Sequence, residues 1–209
     1  MKRGDFNKDS ELIIGIIHTV GTNSAEIIQC IIDSLNKFRY SSEVIKVSKE
    51  ILVQFGTEAP HFSGEYDRIH FFMDKGNTIR DKTEDDAILM KGVCAYIYNK
   101  YRLNSEEAPQ LRRAYIIDSI KHPDEVEFLR QTYGDGFHLI GISDTYERRK
   151  SFLMDRKNMS EKQAEHILDR DDNEKEKMAN IQEMRINNLI TLLMLVTAKM
   201  KCRKMFFAC

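Results

Sequence analysis

Four short apolar runs separated by segments of helical period constrain this chain more than any other feature. Leu12–Ile17 is continuously apolar, as a strand buried on both faces must be. Ser24–Phe38 follows, with Ile27, Ile28, Ile31, Ile32 and Leu35 on one helical face. Glu43–Val47 reads as a second strand, Ala114–Asp118 as a third and Phe137–Ile142 as a fourth. Between them the pattern predicts a short helix over Lys49–Phe55 and a loop over Gly56–Gly64. A helix over Tyr66–Met73 is interrupted at Gly76–Asn77, and a longer one covers Glu84–Tyr101. Pro123–Tyr133 begins with a first-turn proline and two acids, and Glu147–Arg156 and Ser160–Arg170 close the series. The last starts with a Ser160-x-x-Gln163 capping box. Such alternation predicts an α/β fold, a parallel sheet flanked by helices.

In such sheets ligands bind beyond the carboxyl ends of the strands, so the segments just after each strand are where binding chemistry would sit. After Ile17 comes His18-Thr19-Val20-Gly21-Thr22-Asn23-Ser24-Ala25. Against the phosphate-loop pattern G-x-x-x-x-G-K-[ST], Ser24 stands where the lysine belongs and Ala25 where the magnesium-binding hydroxyl belongs. Gly21, Thr22, Asn23 and Ser24 remain candidates to receive an anion on backbone amides at a helix N-terminus. A plain β–α turn explains the same residues.

Asp118 ends the third strand and matches an acid that helps hold magnesium, or merely terminates the strand. Arg148, Arg149 and Arg156 follow the fourth strand and suit phosphate contacts, or a solvated helix face. Met73–Arg80 ("MDKGNTIR") brings a glycine, an amide and Arg80 together as a second ligand corner, or as a helix C-cap. His122 and His138 read as structural residues.

Composition narrows the classes. With 32 basic and 33 acidic residues the net charge is −1, which favours neither a nucleic acid nor a membrane surface over the whole chain. The polar start, MKRGDFNKDSE, has no apolar core for a signal peptide, and Ile186–Val196 is too short to span a bilayer. Four cysteines, Cys30, Cys94, Cys202 and Cys209, match no zinc or redox spacing and read as reduced thiols of a cytoplasmic protein.

Taken in order, "ELIIGIIHTVGTN", "MDKGNTIR", "RRAYIIDSIKHPDEVEFLRQTYGDGFHLIGI" and "ERRKSFLMDRKNMSEKQAEHILDRDDNE" resemble the N-terminal P-loop-kinase-like domain of bacterial anti-phage deoxycytidylate (dCMP) deaminases. "IKHPDEVEFLR" is the most distinctive part. The resemblance implies a P-loop NTPase or nucleoside-monophosphate-kinase-like fold over residues 11–177, after a polar tail at 1–10. It also implies a regulatory role beside a zinc-dependent deaminase domain. Gly21 to Ser24 would be the phosphate loop and Asp118 the magnesium-side acid, with a nucleotide or another phosphorylated small molecule as ligand. Zinc is expected only in the deaminase domain, because these 209 residues contain neither H-x-E nor P-C-x-x-C.

Two other readings stay open. One is a phosphotransferase of the nucleoside monophosphate kinase type, against which the absent loop lysine argues. The other is a non-enzymatic module that binds a regulatory RNA or a protein.

From Met178 the character changes. "MANIQEMRINNLITLLMLVTAKMKCRKMFFAC" has no Asp, a single Glu and a basic, aromatic end, so 178–209 reads as an atypical tail. Permitted codons for it, read one base back, give a peptide with a glycine-glutamine start, a strand-like "SDYFVNV" and an acidic end. The family resemblance predicts such elements at this point, so one reading is a frameshifted tail with the last sheet strand lost or replaced; a C-terminal amphipathic helix packed on the sheet, a partner-binding tail and a surface-membrane helix are the other readings. An exposed sheet edge would then favour homo-oligomers.

Overall fold

The structure, a computed structural model, describes residues 10–103, 112–182 and 193–195. Five parallel strands form one sheet in the order β2-β3-β1-β4-β5: β1 Leu12–His18, β2 Ser41–Lys46, β3 Arg113–Asp118, β4 Phe137–Ser143 and β5 Leu193–Leu195. β1 lies at the centre, hydrogen-bonded to β3 on one side and to β4 on the other. Six α-helices accompany them: α1 Ser24–Lys37, α2 Glu65–Thr83, α3 Ile88–Ile97, α4 Pro123–Tyr133, α5 Tyr146–Lys157 and α6 Glu161–Gln182. The α/β architecture with a parallel sheet therefore stands as the sequence predicts.

Both faces of the sheet are covered, which is why β1 is apolar at successive positions rather than at alternate ones. Ile14 and Ile16 pack with Ile28 and Ile31 of α1, joined by Ile27, Ile32 and Leu35. Ile13 points the other way, into a larger core with Val93 and Ile97 of α3 and Val126 and Leu129 of α4. Gly15 faces that second side. A Cβ there would lie 2.4 Å from Ile120 Cδ1 and 3.0 Å from Phe137 Cε2, so the absent side chain lets the chain after β3 cross close over β1. A third, smaller core of Leu153, Met159, Ala164, Ile167 and Leu168 holds α5 on α6 and reaches Val20, Tyr66 and Ile69. It seats the α5–α6 pair on the loop after β1 and on α2.

Several boundaries differ from the sequence pattern for physical reasons. α2 runs unbroken through Gly76 and Asn77, where an interruption or C-cap was expected. A Cβ on Gly76 would make only ordinary contacts, 3.4 Å from the Arg80 guanidinium and 3.9 Å from Leu89 Cδ1, so the helix tolerates the glycine and nothing around it requires one. The expected helix over Lys49–Phe55 is a π-helical turn, Val47–Ile51, joined to a 3-10 turn, Leu52–Phe55. α6 extends twelve residues past Arg170 to Gln182, across the boundary expected at 177, while its Ser160–Gln163 capping box forms reciprocally at 2.9 and 3.3 Å. Cys94 is a free thiol.

On the edge where a strand was expected to be lost or replaced, β5 pairs in parallel with Gly141–Ser143 of β4. β5 belongs to the 178–209 tail, of which residues 183–192 and 196–209 lie outside the described residues, along with the polar stretch 1–9. No helix among the described residues is long and apolar enough to cross a membrane.

Candidate functional site

A cavity of about 650 Å³ opens where the carboxyl ends of β1, β2 and β3 meet α2, α4 and α6. It is large enough for a nucleotide-sized ligand. The loop after β1, the Asp118–Pro123 segment after β3 and the inner face of α2 line it. Gly21, Thr22, Asn23, Ser24, Asp118 and Arg80 thus converge on one space although they are far apart in sequence. Arg148, Arg149 and Arg156 do not line it.

Each of those arginines has another position. Arg149 is buried: its Nε donates to Val20 O at 2.9 Å, and its other nitrogens meet Asp172 Oδ1 at 3.0 and 3.1 Å. It ties α5 and α6 to the loop from beneath. Arg148 turns to Asp144 at 3.4 Å. Arg156 borders a separate cavity of about 400 Å³ with Ser63, Gly64 and Lys157. The sequence placed all three on one helix, but a guanidinium's direction depends on which face packs, and the small α5–α6 core fixes that face.

The loop after β1 is tightly self-bonded. Thr22 N donates to Thr19 O at 3.2 Å and Ser24 N to Thr22 O at 2.8 Å. The Thr19 and Thr22 hydroxyls are 2.7 Å apart. Val20 N donates to Asp171 Oδ2 at 2.9 Å. Gly21 adopts φ +82°, and a Cβ on it would lie 2.8 Å from Arg149 O and 2.9 Å from Arg149 Cβ. The glycine is therefore required by the turn and by α5, whatever the loop binds.

Asp118 closes the floor of the cavity. Its Oδ1 accepts from His18 Nε2 at 2.9 Å, and the other ring nitrogen of His18 faces Thr19 O at 3.2 Å. Burial pushes the Asp118 carboxyl up, but the His18 hydrogen bond and the charges of His18, Lys46 and Lys121 outweigh it and leave the pKa below the ordinary value of 3.8. The folded state therefore binds the Asp118 proton less tightly than the unfolded state does. Its contribution to stability is complete above about pH 4 and disappears as pH falls through the lowered value. Urea unfolding of the chain and of Asp118→Asn should show a stability gap at pH 6 that narrows towards pH 3. A gap that widens on acidification would contradict this sign.

The donor set around Asp118 bears on magnesium. One carboxylate sits among two lysines and an imidazole, and a hard dication prefers several oxygen ligands. The corner fits an anion better than a metal, so no magnesium step is derived from it.

Beyond Asp118 the chain turns on a buried acid. Glu125 is 0% exposed. Its Oε2 accepts from Lys121 N at 2.7 Å and His122 N at 3.0 Å, and its Oε1 accepts from Arg80 Nη2 at 2.8 Å. His122 is the N-cap of α4, accepting from Asp124 N through Nδ1 at 3.2 Å. Asp86, His122 and Asp124 lie close enough to hold a metal ion. However, with Nδ1 serving as the acceptor, the ring proton falls on Nε2, which points at Asp86 Oδ2 3.5 Å away. A metal on Nε2 would require giving up that cap.

The opposite wall is apolar and aromatic, with Ile69, Phe72, Leu89 and Val126. Arg68 lies 5.8 Å from the Phe72 ring centroid and is held by both Glu65 oxygens at 2.7 Å. Asn77 presents its amide into the cavity while donating to Glu174 of α6 at 3.1 Å. Sequence reasoning passed over Lys46, Arg68, Lys121, Phe72 and Asp171. Lys46 and Lys121 had a usable signal, since each directly ends or follows a strand. Phe72 and Asp171 had none, because only the packing of α2 and α6 turns them inward.

No family model matches the sequence, and no curated protein matches it. Among solved structures, a gluconokinase from Sinorhizobium meliloti is similar at 12% identity and TM-score 0.41, over 76% of this chain and 73% of that one. An uncharacterized protein from Eubacterium ventriosum is similar at 14% identity and TM-score 0.40, over 84% of this chain and 76% of that one. The architecture and the cleft described above rest on the strands and side chains of this chain.

Proposed function

We propose that this chain binds a nucleotide in the cleft at the carboxyl edge of the sheet and acts as a sensor that transfers no phosphate. The observation that carries the reading is the cleft's two-sidedness. Lys46, Lys121 and the loop after β1 supply cationic and polar groups, and Phe72, Ile69 and Leu89 supply apolar ones, all bordering one cavity of about 650 Å³. A ligand with an anionic group joined to a flat apolar ring satisfies both, and a nucleotide is such a ligand.

The sequence resemblance adds the finer reading, the regulatory part of an anti-phage dCMP deaminase, and a deoxycytidine nucleotide, the class that family deaminates, is the first ligand to test. Deamination itself is not assigned to these residues, which lack the H-x-E and P-C-x-x-C zinc motifs.

Phosphoryl transfer depends on positioned positive charge at the transferred group. Ser24 occupies the lysine position, and the amides of Val20, Thr22 and Ser24 are bonded within the protein. Incubation with radiolabelled ATP, magnesium and dCMP should therefore yield no labelled diphosphate while dCMP still raises the melting temperature. Product formation that depends on Asp118 would favour the kinase reading. Stabilisation by RNA with none by nucleotides would favour the non-enzymatic module.

A further inference from the structure

The side chain of Asp171 meets the loop after β1 in a way that the nucleotide reading does not use. Asp171 is 3% exposed and reaches the loop from α6. Its Oδ2 accepts from Val20 N at 2.9 Å and lies 3.6 Å from Arg149 Nη2. Its Oδ1 lies 3.5 Å from Lys121 Nζ, which also donates to His18 O at 3.1 Å. A backbone amide at the start of the loop, an ammonium and a guanidinium thus surround one carboxylate. These are the groups that would recognise an external phosphate or carboxylate.

We infer that the loop after β1 is an anion site already filled by Asp171, and that Lys121 supplies the cation that the loop itself lacks. A ligand's phosphate enters by displacing the Asp171 carboxylate and taking over Lys121 Nζ and Val20 N. The idea rests on the nucleotide reading for the identity of its ligand, but its geometry concerns only the ligand's anionic group.

Burial explains why the cation comes from after β3. Ile120 N donates to Ile16 O at 2.8 Å, and Glu125 holds Lys121 N at 2.7 Å. The backbone of residue 121 is thereby fixed beside β1, and its side chain crosses to the loop. A lysine at residue 24 would start from α1 instead, and Ser24 occupies that place. Displacing Asp171 loosens α6 from the loop, and α6 also holds α2 through Glu174–Asn77 and through Arg170–Asp74 at 2.7 Å. Binding at the loop is thereby linked to the helix that bridges both walls of the cleft.

The test uses inorganic tripolyphosphate, which has no base to engage the apolar wall. The full chain, Asp171→Asn and Lys121→Met are titrated by calorimetry, with the Val20 amide followed by NMR. Removing the internal competitor frees the site, so Asp171→Asn should bind at least about tenfold tighter than the natural chain. Lys121→Met should bind at least about tenfold weaker than the natural chain. The Val20 resonance should move on binding.

Equal affinity in the natural chain and Asp171→Asn, or no binding by Asp171→Asn, overturns the inference. Should Asp171→Asn fail to fold, Lys121→Met decides, because its lysine is partly exposed: unchanged tripolyphosphate affinity overturns the assignment. The nucleotide reading fails separately, if nucleotides leave the Phe72 and Asn77 resonances unmoved.

Discussion

Glu125→Ala is expected to lower stability more than any other single truncation at the site. It leaves the Arg80 guanidinium, itself 7% exposed, without its carboxylate, and it releases the Lys121 and His122 amides. Removing one partner of a buried ion pair typically costs about 3–5 kcal/mol, because the other charge remains desolvated. For a domain of this size that corresponds to a fall in melting temperature of about 6–20 °C. Arg80→Met should cost less, since Glu125 then keeps both amide donors. The double variant should fall short of the sum of the singles, a coupling expected of residues in one network. Additive losses would show that Arg80 and Glu125 are not coupled. Arg80 was expected to grip a ligand phosphate. Its pairing with Glu125 makes it a strut that holds α2 against α4, and it borders the cavity from that position.

Phe72→Ala is the second large effect, and it concerns binding. A base stacked on an aromatic ring gains about 1–3 kcal/mol, so losing that face should weaken nucleotide binding by about 5–150-fold. Tripolyphosphate binding should change little, because that anion has no base to stack on the Phe72 ring. Phe72 also packs beside Phe62 and Phe71, with ring centroids 5.8 and 5.4 Å away, so affinities should be compared where the variant is fully folded. An equal loss for nucleotide and tripolyphosphate would mean that the ring supports the whole cavity and contacts no base.

How much of this was legible in the sequence follows from the range of the interactions. The strands declared themselves because burial on both faces demands apolar residues at successive positions, as in Leu12–Ile17. Pro123–Tyr133 matched the structure at both ends because its start is written locally, by Pro123 and the acids after it. The break expected at Gly76 failed because a single glycine costs a helix only about 1 kcal/mol, which the packing of α2 on its neighbours outweighs. That Gly21 to Ser24 and Asp118 would border one cavity was legible because they follow strands, and the sheet brings strand ends together. The ion-pair partners of Arg80 and Arg149 were not legible because those partners, Glu125 and the Asp171–Asp172 pair, lie on other helices. A contact of that kind leaves no periodic trace. The Asp171 carboxylate at Val20 N joins residues 151 positions apart, and nothing short of the packed α5–α6 pair reveals it.

The central claim is that the cleft binds a nucleotide through both its cationic and its apolar groups. Isothermal titration of the full chain with dCMP, deoxycytidine and inorganic phosphate, with and without magnesium, tests it most directly. Saturable binding of dCMP at unit stoichiometry is expected, with little dependence on magnesium. Deoxycytidine and phosphate should each bind far more weakly, since each engages one set alone. Equal binding of deoxycytidine and dCMP, or no heat from any nucleotide under conditions where the chain is folded, would contradict it.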